Sequence, residues 1–233
     1  QISAGITHAL DAGLSVRVRV NLDRENLDSL PELCETFDAR GWTANAGFRA
    51  VGAPVEDHLC DGLPHVFAED ELIGAYLGLE AEHAQALSAF DSEKVLGTTW
   101  YVESRVRQLP EILLPKFAYC DAHSGKGMCF GADGAIYPCY KALEDQDAQV
   151  GSFLPRFALD ETRLRLWLER TVANMPRCSS CAAATLCGGG CAYSQLKRGL
   201  PFDDGRCPPV ASSLDTYVRL RRHAHDHSRA IGC

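Results

Sequence analysis

The chain has 233 residues, enough for one large domain or two small ones. An apolar fraction of 46% supports a packed core, and 23% charged residues suits a protein in water. A net charge of −8 argues against nucleic acid as a main partner, because phosphate binding needs a basic face. No apolar run reaches transmembrane length, and the first residues carry no signal-peptide pattern. The sequence starts on Gln1, in what reads as the middle of a helix, and is read as part of a longer protein.

In chain order, Ile6–Ala12 is apolar at helical spacing and stops at Gly13. The alternation over Leu14–Asn21 predicts a strand, with Val16, Val18 and Val20 on one face and Arg17, Arg19 and Asn21 on the other. A polar loop, Asp23–Asn26, leads to a helix that Asn26 or Asp28 could cap; Pro31 favours Asp28, which leaves the proline in the first turn. Leu30, Leu33, Cys34 and Phe37 form that helix's apolar face, and Gly41 ends it. Thr43–Val51 reads as a second strand. Strand, helix, strand with short loops is a βα unit of a parallel sheet, whose first strand would need neighbours this sequence does not supply. Gly52–His65 reads as loop and Ala68–Phe90 as a long helical stretch opened by acidic residues. Thr98–Leu109 is ambiguous, and Pro110 and Pro115 mark a boundary near residue 115.

Beyond that boundary the chain is organised by cysteines. Cys178, Cys181, Cys187 and Cys191 stand in C-S-S-C-A-A-A-T-L-C-G-G-G-C; Cys120, Cys129 and Cys139 precede them and Cys207 follows. Met128–Phe130 and Ala135–Tyr140 read as a hairpin turning at Asp133-Gly134. Leu159–Met175 reads as an amphipathic helix, Leu186–Arg198 as a short helix carrying Cys187 and Cys191, and Val210–His225 as a last helix. Grouped Cys-x-x-Cys spacing without a secretion signal favours metal over disulfides. Eight thiolates fit two four-iron clusters, and they fit two structural zinc sites equally by count. Gly188, Gly189 and Gly190 lean toward iron, since glycine lets the backbone wrap closely and aim N–H groups at sulfur.

The pattern Cys120-x13-Gly134-x4-Cys139, Cys178-x2-Cys181-x5-Cys187-x3-Cys191, then Cys207, resembles the seven-cysteine signature of the SPASM domain. That domain is the C-terminal auxiliary-cluster module of radical S-adenosylmethionine (SAM) enzymes that modify peptides and proteins. The resemblance implies two auxiliary [4Fe-4S] clusters with interlaced ligation: Cys120, Cys139 and Cys191 on one, Cys178, Cys181, Cys187 and Cys207 on the other. Cys129 lies outside the signature and is the natural fourth ligand of the first. The order V-R-V-N-L-D-R-E-N, helix, G-F-R-A-V is similar to the last part of the family's partial (β/α)6 barrel. In that setting Arg19 and Asn21 would point inward, toward SAM or substrate; on an isolated strand they would be a solvated face.

The implied layout is an α/β chain: the end of the barrel over 1–65, a helical connector over 66–115, a cysteine-rich α+β SPASM domain over 116–210, and a helix and tail over 211–233. The family's SAM-cleaving Cys-x3-Cys-x2-Cys loop does not occur in these residues and is expected upstream of Gln1, with a third [4Fe-4S] cluster. Implied partners are a peptide or protein substrate and a reductant such as flavodoxin or ferredoxin, in a reducing cytoplasm and without nucleic acid or membrane. Sulfatase-maturing members carry Asp after the second signature cysteine, as a base; here Tyr140 follows Cys139, which favours maturation of a ribosomally made peptide or another peptide modification, with a sulfatase-maturase-like enzyme as the alternative. A non-catalytic peptide-binding module, with iron–sulfur or zinc, is the alternative from another class. Cys34 reads as core, Cys60 and Cys233 as lone thiols, His223, His225 and His227 as a solvated helix end, and Trp100, Tyr101 and Trp167 as packing residues.

Overall fold

The alternating valines of the first strand are where the architecture begins. In a computed structural model, which describes residues 1–56, 63–97, 99, 115–203, 207 and 209–230 (side chains only up to 221 in the last helix), they form β1 (Val16–Leu22). β1 pairs in parallel with β2 (Phe48–Pro54), in register from Val16 opposite Phe48 to Leu22 opposite Pro54. A two-residue strand, β3 (Phe90–Asp91), adds in parallel to β2, giving the order β1-β2-β3. Helix α1 (Ile2–Asp11) precedes the sheet, α2 (Leu30–Ala39) joins β1 to β2, and α3 (Glu69–Glu82) lies between β2 and β3. The three strands are thus linked by right-sized helical crossovers, as parallel pairing requires.

The valine face of β1 packs into a core with Leu22, Leu30, Phe37, Trp42, Phe48, Ile73 and Tyr76. Phe37 lies between two rings, 5.9 Å from Trp42 and 5.5 Å from Phe48, and Trp42 Nε1 donates to Thr7 Oγ1 at 3.0 Å. Of the expected face of α2, Leu30, Cys34 and Phe37 are buried, while Leu33 is more than a third exposed. Burial pushes the Cys34 thiol up to about 11, which fits an inert core residue. The helix Val210–Ala230 clusters with this unit: Tyr217 enters the core, Ser212 Oγ donates to Asp70 at 2.8 Å and Arg221 pairs with Glu80 at 2.7 Å.

Several element expectations need correction. α2 is capped at Ser29 after a 3-10 turn over Leu27–Ser29, rather than at Asp28, although Pro31 does fall in its first turn. The second strand starts at Phe48, because Asn45 turns the chain by accepting the Gly47 N–H at 2.9 Å, and it runs on to Pro54 where a loop was expected. The stretch Ala68–Phe90 is not one helix. α3 opens with the Ala68 N–H held by the Glu71 carboxylate at 3.0 Å, and it ends at Glu82. Phe90 then leaves helical geometry to bury its ring under the sheet; a two-residue strand carries too little period to be read from sequence. The stretch 98–109 and Cys60 and Cys233 fall on or among residues outside those described, apart from Thr99, as do Trp100, Tyr101 and the side chains of His223, His225 and His227.

The cysteine-rich unit, drawn from described residues between 115 and 210, has a small antiparallel sheet in the order β4-β5-β6-β7. The expected hairpin is its start: β4 (Cys129–Phe130) pairs with β5 (Ala135–Tyr137), and Gly134 takes the positive φ of 81° that the turn requires. Asp133 braces the turn by accepting from the Ala135 N–H at 3.0 Å and from the Tyr137 hydroxyl. β6 (Gly151–Ser152) and β7 (Ala158–Leu159) complete the sheet. Helix α4 (Glu161–Leu168), capped by Asp160 on the Arg163 N–H, is shorter than expected. Past Leu168 the backbone turns so that Val172 N–H donates to the Phe117 carbonyl at 2.9 Å, and Asn174 holds the Glu169 carbonyl. Trp167, on α4, is buried between His123 and Phe202. Three short helices follow: α5 (Pro176–Ser179), α6 (Ala184–Cys187) and α7 (Ala192–Lys197). The single helix expected over Leu186–Arg198 is therefore two, because Gly188, Gly189 and Gly190 all take positive φ between them.

Two outcomes follow from this packing. A Cβ added at Gly52 meets the Val95 side chain and lies 2.9 Å from the Phe90 ring. Gly52→Ala is expected to cost about 1–3 kcal/mol by overpacking, seen as a lower urea midpoint at unchanged slope. His123 is buried, with Nδ1 3.0 Å from the Trp167 carbonyl, so the neutral ring carries its proton there and leaves Nε2 without a partner. Burial, and secondarily the Arg170 charge against the helping Trp167 bond, hold its pKa below the usual histidine value. The unfolded chain then binds the extra proton first, so stability is complete above about pH 6.5 and falls as pH drops below it, by at most about 1.4 kcal/mol per pH unit. Denaturant unfolding at pH 5.5 and 7.5 should show this loss in the wild type and a smaller one in His123→Gln.

Candidate metal centre

Most of the eight cysteines sit in or beside short elements rather than inside long ones, and Cys207 belongs to none. Cys120 starts the 3-10 turn Asp121–His123, and Cys139 starts the turn Tyr140–Ala142. Cys178 lies in α5 and Cys181 just beyond it; Cys187 closes α6 and Cys191 opens α7. Cys129 lies on β4 opposite Tyr137, and Cys207 is exposed. None of the nine described cysteines is in a disulfide. Among the described residues no three Cys, His, Asp or Glu side chains are already closed around a metal-sized point.

The thiols nonetheless fall into two electrostatic neighbourhoods. Burial raises the Cys120 thiol above its ordinary value, and the charge of Cys191 adds to that. Cys139 is raised in the same way, by burial and then by Cys120 and Cys191. Cys178 is raised by burial and then by Cys187, Cys207 and Cys181. Cys187 is raised by burial and also by Cys207. Cys191 thus acts on both Cys120 and Cys139, and Cys207 on both Cys178 and Cys187. Cys129 packs on the same hydrophobic core as Cys139 and Cys191, but it is not among the main charges acting on Cys120 or Cys139.

Backbone donors oppose these upward shifts. The N–H groups of Gly189 and Gly190 favour the Cys187 thiolate, the Ala122 N–H favours that of Cys120, and the Lys141 N–H favours that of Cys139. The glycines earn this geometry through positive φ values of 77°, 91° and 73° and through close approach. A Cβ on Gly188 would lie 2.7 Å from the Ala118 carbonyl oxygen, and one on Gly189 would strike Met175. Thiolate ligands with N–H groups turned toward sulfur are what an iron–sulfur or zinc tetrathiolate site requires, so the donor set fits such a group.

One residue that sequence reasoning missed lies beside both neighbourhoods. Arg170 is 2% exposed. Its Nε donates to the Phe202 carbonyl at 2.9 Å, and its two terminal nitrogens donate to Gly190 at 2.8 Å and Gly189 at 3.1 Å. Burial lowers its pKa, while Cys191, Cys178, Cys120 and Cys187, drawn from both sets, favour its charge. A lone arginine at a helix end carries no sequence signal of that kind. Lys116 also acts on Cys120 and Cys187, favouring their thiolates.

In the sheet unit, Arg19 and Asn21 lie together on the exposed face of β1, where Arg19 Nε donates to Asn21 Oδ1 at 2.8 Å. Register places Arg17 beside Arg49 on that same face, and Arg19 beside Val51. The face is open and polar, in contrast to the valine face beneath it.

No family model and no curated protein matches the chain. Among solved structures it is similar to native anSMEcpe with bound AdoMet and Kp18Cys peptide, with a TM-score of 0.53 at 11% identity. The match covers 97% of this chain and 62% of that one, so the chain spans less than two thirds of its neighbour's length. At that identity the likeness is one of fold: a mixed α/β chain with a parallel sheet, similar in fold to a protein that binds AdoMet and a peptide.

Proposed function

We propose that this chain is the auxiliary-cluster portion, with the end of the barrel, of a radical SAM enzyme that modifies a peptide or protein. The feature that carries the reading is the spacing of the seven cysteines Cys120, Cys139, Cys178, Cys181, Cys187, Cys191 and Cys207, supported by the influence of Cys191 on Cys120 and Cys139 and of Cys187, Cys207 and Cys181 on Cys178. Resemblance to the SPASM signature implies the two sets Cys120, Cys139, Cys191 and Cys178, Cys181, Cys187, Cys207. The fold neighbour, anSMEcpe with bound AdoMet and Kp18Cys peptide, supports a class that uses AdoMet and a peptide. SAM and the cluster that cleaves it are assigned to no residue of this chain, in which no Cys-x3-Cys-x2-Cys spacing occurs.

Two [4Fe-4S] clusters bound at these thiols would supply electron transfer, or a point of attachment for substrate. The chain's own residues would prepare the sites. Seven signature cysteines, with Cys129 as the fourth ligand of the first set, give eight thiolates. The Gly189, Gly190, Ala122 and Lys141 N–H groups favour the ionised sulfurs. Tyr137, Ile136 and Ala142, all fully buried, belong to the core against which Cys139 and Cys191 pack. On β1 and β2, Arg17, Arg19, Asn21 and Arg49 offer hydrogen-bond donors to a carboxylate of SAM or of a peptide. Tyr140, 69% exposed directly after Cys139, offers no carboxylate base, so the reading is a peptide modification other than that of the sulfatase-maturing members. A reductant such as flavodoxin or ferredoxin and a reducing cytoplasm belong to the same proposal; no helix among the described residues is long and apolar enough to cross a membrane.

Anaerobic reconstitution with iron and sulfide tests this directly. About eight iron with matching sulfide per chain is expected. Cys139→Ala and Cys178→Ala should each lose about four iron, and the double variant nearly all of it. Cys129→Ala should lower loading of the first set alone. About two zinc per chain without sulfide would replace the cluster reading with a structural zinc module.

A further inference from the structure

We propose that Arg170 is a positioning residue for both thiolate sets: it clamps the Gly188–Gly190 loop between them and supplies the fixed positive charge that sets their redox behaviour. The inference rests on the two-cluster reading above and goes beyond it, since the signature assigns no role outside the cysteines and Gly134.

The geometry is specific. The guanidinium is withdrawn from water, yet among the described residues no carboxylate pairs with it. Its donors go to three backbone carbonyls, Phe202, Gly190 and Gly189. The Phe202 ring lies 5.7 Å from the guanidinium carbon. Carbonyl dipoles orient a cation, but they bring no net negative charge, and an unpaired buried charge is costly. The side chains that favour its charge are sulfurs, Cys191 and Cys120 from one set and Cys178 and Cys187 from the other, and two of its carbonyl partners directly precede Cys191. Those two belong to the loop that joins Cys187 of the second set to Cys191 of the first. One side chain therefore fixes the spacing between the sets and offsets the charge of each.

The electrostatic consequence has a sign. Reducing a thiolate-bound cluster adds one negative charge, and a nearby fixed cation favours that state. Removing the cation makes each cluster harder to reduce. Arg170→Gln keeps hydrogen-bonding capacity and removes the charge. Its midpoint potentials, followed by EPR-monitored titration of the anaerobically reconstituted chain, should move negative by on the order of tenfold in the reduction equilibrium, about 59 mV for one electron. Arg170→Lys keeps the charge but loses the planar fork. It should hold near wild-type potentials while losing iron faster to a chelator, because the loop is less firmly held. Unmoved potentials in a loaded Arg170→Gln, or an equal shift in Arg170→Lys, would overturn the charge role. Should Arg170→Gln fail to load, a loaded Arg170→Lys at wild-type potential upholds the proposal, and an empty one reduces Arg170 to a structural clamp and overturns it. Wild-type chain that takes up no iron and sulfide fails the cluster reading itself, and that outcome is separate from either variant result.

Discussion

Holding many sulfurs in one small unit is the constraint on which the cysteine-rich half depends. Buried thiols resist ionisation, and each thiolate raises the pKa of its neighbours. Both effects are visible at Cys120, Cys139, Cys178 and Cys187, where burial is the larger cause and neighbouring cysteines add to it. Left alone, such a group stays protonated. The structure counters this with neutral donors and with cations: N–H groups at Cys187, Cys120 and Cys139, Lys116 beside Cys120 and Cys187, and Arg170 beside members of both sets.

The triple glycine is the covalent expression of the same constraint. Cys187 and Cys191 are assigned to different sets in the proposal above, yet only three residues separate them. A helix through that stretch would place both on nearby turns of one face. Three consecutive positive φ values instead end α6, reverse the backbone and begin α7 at Cys191. No side chain fits along this path. Gly188 lies against the backbone of Ala118 and Tyr119, one to two residues before Cys120, and Gly189 against Met175, three residues before Cys178. The loop therefore touches the approach to one cysteine in each set.

Legibility in the sequence followed the range of the interactions. Period-two alternation gave β1 and its polar face, because side-chain direction there depends only on neighbouring residues. The Asp133-Gly134 hairpin was readable for the same reason. Elements held by distant partners were not: β3 exists because Phe90 finds β2, and α4 ends because Val172 finds the Phe117 carbonyl. The cysteine spacings pointed to a metal site, and the family signature suggested how the thiols divide. Arg170 and His123 stayed hidden, since their meaning lies in carbonyls and rings more than thirty residues away, such as Phe202 and Trp167.

The buried guanidinium also bears on the choice between iron and zinc. A zinc tetrathiolate keeps one charge throughout, so a structural site gains from a nearby cation only in assembly, and surface lysines or backbone donors suffice. An iron–sulfur cluster changes charge each time it accepts an electron, and its potential depends on fixed charges and hydrogen bonds around the sulfurs. Placing a fully charged, water-excluded arginine where thiolates of both sets act on it is costly in folding. That expense is easier to understand at a pair of sites whose charge varies than at a pair whose charge is constant. Arginine rather than lysine follows from the acceptors: three carbonyls on two separate loops match a planar fork and hold the charge in one place.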